Sequence, residues 1–92
     1  MRTILIDDEA KCVETLRIEL NEYCPQVQVV AECHSAAQGL EAIQTLKPDL
    51  VFLDIEMPRL GGFDMLNRIP KKTFHLIFTT AYDHYAIKAI RY

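Results

Sequence analysis

The sequence predicts an α/β fold built on a parallel sheet. Three observations predict it. Apolar runs of strand length alternate, four times over, with segments whose apolar residues recur at helical spacing. The runs ending at Asp7 and Asp54 are continuously apolar, as strands covered on both faces are. Three of the four candidate strands close on chemically useful side chains, Asp7-Asp8, Asp54 and Thr79-Thr80. In sheets of this kind, ligands bind beyond the carboxyl ends of the strands.

Residues 3–7 form the first strand. Asp8-Glu9 opens a helix in which Val13, Leu16, Leu20 and Tyr23 share one face, and Pro25 stops it. Residues 27–33 alternate partly and read as the second strand. Ser35 and Gln38 have the spacing of a capping box for a second helix, whose apolar face holds Ala36, Leu40, Ile43 and Leu46. Lys47-Pro48-Asp49 ends that helix. Residues 50–54 are the third and most apolar strand. A loop over 56–62 carries Pro58, Gly61 and Gly62, and a short helix over 63–69 ends at Pro70. Residues 74–79 are the fourth strand. Asp83 caps a last helix in which Tyr82, Tyr85, Ala86, Ala89 and Ile90 recur at helical spacing.

The 92 residues suffice for one domain, 1–92, with no linker or repeat. A net charge of -3 argues against direct binding to nucleic acid or an anionic membrane. No apolar stretch reaches the length that spans a bilayer, and Met1-Arg2 leads directly into a strand without a signal peptide. A cytoplasmic location is expected. Cys12, Cys24 and Cys33 are odd in number and lack metal-ligand spacing, so they read as reduced thiols. His34, His75 and His84 share no spacing and read as packed or solvated side chains.

If the first and third strands are neighbours, Asp7, Asp8 and Asp54 meet in one crevice. Three like charges at that range repel, and a divalent cation relieves the repulsion. Mg²⁺ suits such oxygen donors: Asp8 and Asp54 directly, Asp7 through water, and a backbone carbonyl after Asp54, best supplied by Glu56. A carboxylate there can act as nucleophile toward a phosphoryl group, with the Thr80 hydroxyl donating to one of its oxygens. Simpler roles exist for each residue. Asp8 suits a helix N-cap, Asp54 a turn, Thr80 a β-turn, and Thr79 could supply the hydroxyl instead.

The segments Ile6-Asp7-Asp8-Glu9, Leu53-Asp54-Ile55-Glu56-Met57-Pro58, Gly61-Gly62-Phe63 and Thr79-Thr80-Ala81 resemble the receiver domain of two-component response regulators. The stretch from Thr79 to Ile90 is similar to the LytT/AlgR type, whose members usually carry a DNA-binding domain after the receiver. The resemblance implies a flavodoxin-like, doubly wound sheet of strand order 2-1-3-4. It implies Asp54 as phosphoacceptor, Asp7, Asp8 and the Glu56 carbonyl as Mg²⁺ ligands, and Thr80 as switch hydroxyl. It implies a histidine kinase as phosphodonor, with transcriptional output through a domain absent here. A receiver's slow self-dephosphorylation is the most catalysis expected.

The family's pattern continues into a fifth strand ending in Lys-Pro and a fifth helix, whereas this sequence ends at Arg91-Tyr92. An incomplete receiver is therefore expected, with its fourth strand an uncovered apolar edge. Two other functional classes follow. One is a non-signalling fragment that dimerises through the fourth strand and helix. The other is a phosphatase of the haloacid dehalogenase type, whose Asp-x-Asp pair here reads Asp54-Ile55-Glu56.

Overall fold

The computed structural model describes residues 1–54 and 74–79. The elements are β1 (Arg2–Ile6), α1 (Ala10–Tyr23), β2 (Gln28–Cys33), α2 (Ala36–Leu46), β3 (Leu50–Asp54) and β4 (His75–Thr79). The loop over 56–62, the helix over 63–69 and the helix after Asp83 lie outside the described residues, as do Glu56 and Thr80.

All strand pairs are parallel, and the sheet order is β2-β1-β3-β4, as expected. The two faces of the sheet bury separate clusters. Ile4, Ile6, Val51, Leu53, Leu76 and Phe78 pack with Ala36 and Ile43 of α2. Leu5, Leu50 and Phe52 pack with Val13 and Leu20 of α1. This alternation is the period-two rule of strands, applied to a sheet covered on both sides. It explains why Leu50, Val51, Phe52 and Leu53 of β3 are all apolar: all five residues of the strand are buried, Asp54 at its end included.

The chain leaves β1 for β2 on one side, then crosses back to place β3 on the other. The reversal falls between β1 and β3, so their carboxyl ends border the crevice where such folds bind ligands.

Local chemistry sets the helix ends. Ser35 Oγ accepts from the Gln38 N–H at 3.1 Å, as the capping pattern requires. Gln38 Oε1 reaches one residue further back than a capping box does, to the His34 N–H at 2.8 Å. Lys47 terminates α2 in the left-handed region, with φ 48°. The following Pro48 disfavours the right-handed helical conformation at Lys47.

One expectation needs correction. Tyr23 is not on the buried face of α1: it is 74% exposed. Cys24, four residues after Leu20, packs against the cluster instead. The first helix opens after Asp8-Glu9 as expected, and the alternative role of Asp8 as its cap is not taken up. It begins at Ala10, with Glu9 at the N-cap position and no side-chain cap. β1 and β2 each start within a residue of expectation. The β1–β2 register shifts between Thr3 and Ile4, leaving Val30 as an extra residue in β2. A bulge of this kind breaks up a strand edge that could otherwise recruit another chain.

Candidate phosphoryl and metal site

β1 and β3 run in register from Thr3↔Leu50 to Ile6↔Leu53. Asp7 and Asp8 follow β1 directly, and Asp54 is the last residue of β3. The register therefore delivers the three carboxylates to one end of the sheet. Their ligand atoms all lie within 4.8 Å of one another. Asp54 is 3% exposed, Asp7 is half-buried, and Asp8 is exposed. The cluster thus grades from core to solvent across three residues.

Two backbone contacts hold Asp7. Its N–H donates to the Cys33 carbonyl at 3.0 Å, prolonging the β1–β2 ladder beyond the strand. Its Oδ1 accepts from the Glu9 N–H at 2.9 Å, a turn that leads the chain into α1. Burial pushes the Asp7 carboxyl above its usual 3.8. The Glu9 N–H opposes this rise, whereas the charge of Asp8, a hydrogen bond with Asp8 and the charge of Glu9 add to it.

A neighbour escapes sequence reasoning. Cys12, in the first turn of α1, places its thiol 3.4 Å from Glu9 Oε2. The thiol is pushed up to about 11, first by burial, then by its bond to Glu9 and the charges of Asp7, Glu9 and Asp54. Its one legible signal was position: the first turn of α1 must pass over the sheet face that carries Asp54.

At the far side of β3, Thr79 closes β4 directly opposite Asp54. A hydroxyl residue thus borders the acidic pocket, and Thr80 follows it in sequence. The donor set is all oxygen and wholly carboxylate, which suits a hard cation such as Mg²⁺. His34 and Cys33, at the neighbouring end of β2, are not among the clustered ligand atoms.

Residues 3–92 match the response regulator receiver domain. The chain belongs to that family. It is 47% identical over 90 residues to an uncharacterized response regulatory protein of Yersinia pestis, covering 97% of this chain and 37% of that protein. It is 41% identical over 93 residues to the sensory transduction protein LytT of Enterococcus faecalis, covering 99% of this chain and 38% of LytT. This receiver therefore spans less than half the length of these curated relatives. Among solved structures, a two-component response regulator of the LuxR family from Aurantimonas sp. SI85-9A1 superimposes with a TM-score of 0.78 at 27% identity. That match covers 89% of this chain and 59% of the other. Receivers bind Mg²⁺ at an acidic pocket, and the cluster of Asp7, Asp8 and Asp54 stands where the fold puts one. No helix among the described residues is long and apolar enough to cross a membrane.

Proposed function

We propose that this receiver is the phosphoacceptor module of a two-component system, with Asp54 taking a phosphoryl group from a histidine kinase. One observation carries the reading: a buried carboxylate at the end of β3 converges with Asp7 and Asp8 at the crevice between β1 and β3. Asp7, Asp8, Asp54 and the Glu56 carbonyl would hold Mg²⁺. When bound, it would neutralise the carboxylates and the phosphoryl oxygens facing them.

The chain's own residues do the remaining work. An Asp54 oxygen attacks phosphorus in line with the donor's P–N bond. That bond breaks, its electron pair returns to the imidazole nitrogen, and a P–O bond to Asp54 forms. Burial of Asp54 limits the water that can reach the acyl phosphate. Water attack on phosphorus later returns the carboxylate and inorganic phosphate. The role is thus stoichiometric relay rather than rapid turnover. The Thr80 hydroxyl would donate to a phosphoryl oxygen, and the position of Thr79 opposite Asp54 supports that placement. Transcriptional output would pass through a DNA-binding domain outside these residues, and the setting would be cytoplasmic.

The test is incubation with Mg²⁺ and acetyl phosphate, followed by intact-mass measurement. Wild type gains one phosphoryl group and Asp54→Ala gains none. An equal gain in both proteins overturns the assignment.

A second reading concerns association. Among the described residues β4 pairs with β3 alone, and its Leu76 and Phe78 are core residues. The fourth strand and helix would then serve a homodimer. Light scattering at increasing concentration tests this, and a strictly monomeric protein counts against it.

A further inference from the structure

The pocket has a fourth carboxylate outside the clustered set. Glu9 donates its backbone N–H to Asp7 Oδ1 at 2.9 Å, while its side-chain Oε2 lies 3.4 Å from Cys12 Sγ. The second contact brings the exposed side chain back toward the first turn of α1. Asp54 shares its sheet face with Leu50 and Phe52, the face that α1 covers. Glu9 is therefore held above the same end of the same face. Its oxygens are not among those clustered within 4.8 Å.

We infer that Glu9, held by the Cys12 thiol, is a residue of the pocket's rim that raises its affinity for a divalent cation without ligating it. The inference rests on the reading of Asp7, Asp8 and Asp54 as a cation site. The physical distinction is between field and bond. An exposed carboxylate acts through water, doubly on a divalent ion, and salt screens it over about 10 Å at 0.1 M and about 3 Å at 1 M. A ligand makes direct contact, which screening does not remove.

The experiment is calorimetric titration of the full chain with Mg²⁺ alone, at low ionic strength and at about 1 M salt. Glu9→Gln keeps the backbone N–H that Asp7 uses, and its site is exposed. It should weaken binding by roughly two- to fivefold at low salt and by nothing measurable at about 1 M. Cys12→Ala should weaken binding less, and should add nothing in the Glu9→Gln background, because both changes act through one group. Asp8→Asn should lose affinity at both salt concentrations. Wild-type affinity in Glu9→Gln at low salt overturns the inference. So does a loss that persists at high salt, which makes Glu9 a ligand, or a Cys12→Ala effect that adds in full. If the wild type itself takes up no Mg²⁺, the cation-site reading fails first.

Discussion

Gly39 of α2 lies directly against Ile6 of β1: a methyl group on its Cα would stand 2.6 Å from Ile6 Cδ1 and 3.2 Å from both Cγ1 and Cγ2. Ile6 is the last residue of β1, and Asp7 comes next. The missing side chain at Gly39 thus lets α2 lie on the strand that delivers the acidic pair. Overpacking here would press on the site as well as the core.

Gly39→Ala should therefore destabilise the fold by up to about 2 kcal/mol. Overpacking a dense core costs roughly 1–3 kcal/mol, and the better helix propensity of Ala returns about 1. Ile6→Val removes the methyl that collides and should rescue the double variant by at least half. Urea unfolding of the four proteins checks the coupling. Additive effects would show that α2 shifts as a body instead.

Asp7→Asn should stabilise the cation-free protein while removing most of its response to Mg²⁺. The native carboxyl sits above its usual 3.8 because burial and like charges disfavour its ionised form. Its stabilising contribution is therefore complete below the unfolded value and is lost as pH rises through the native one. The advantage of Asn should accordingly be largest near neutrality and shrink on acidification. Asn can still accept from the Glu9 N–H, so the turn survives. A hundredfold excess of Mg²⁺ over its Kd raises wild-type stability by about 2.7 kcal/mol. Thermal melts with and without Mg²⁺ at several pH values measure both effects, and an equal metal response in the two proteins defeats the prediction.

The Cys12 thiol should report occupancy of the pocket. Raised from 9.0 to about 11, it holds little thiolate near neutrality. The thiolate fraction falls about a hundredfold, but a more basic thiolate is more nucleophilic, so alkylation should slow by about tenfold relative to the unfolded chain. Mg²⁺ should speed it again in part, since Asp7 and Asp54 supply part of the shift while burial is its largest cause. The same rise makes the contribution of Cys12 to stability full below pH 9.0 and lost as pH climbs toward about 11. Peptide mapping after timed iodoacetamide treatment follows Cys12 separately from Cys24 and Cys33. Rates indifferent to Mg²⁺ would refute the link.

The strand order and the convergence of Asp7, Asp8 and Asp54 were legible because both follow from position. Continuous apolar runs mark strands buried on both faces, and a carboxylate at the end of such a run has one place to go. Tyr23 misled because helical spacing identifies a face but not where the underlying sheet stops. Its place in the cluster fell to Cys24, one residue later. Asp8 had a simpler alternative role as a cap, because Asp caps well. In the fold Asp7 makes the local turn instead, so α1 starts two residues after Asp8. The contact between Gly39 and Ile6 had no signature, and the approach of Cys12 to Glu9 was marked by position alone. Both depend on how closely a helix settles on the sheet, which residue spacing does not encode.

Asp49 fastens the opposite end of the sheet, and its loss should weaken the fold without touching the pocket. Its N–H donates to the Arg2 carbonyl and its Oδ2 accepts from the Arg2 N–H, each at 2.8 Å. Its carbonyl accepts from the His75 N–H at 2.9 Å. One residue thus ties the amino ends of β1, β3 and β4. Asp49→Ala removes only the side-chain bond, leaving both backbone bonds, and the freed Arg2 N–H is exposed enough to find water. A loss of about 1 kcal/mol is expected, the usual net worth of one hydrogen bond. Mg²⁺ affinity and the rate of modification by acetyl phosphate should match wild type, because the change lies a strand's length from the carboxylates. Chemical denaturation and the Mg²⁺ titration together decide it: a stable variant denies the tie, and a weakened metal site denies its isolation from the pocket.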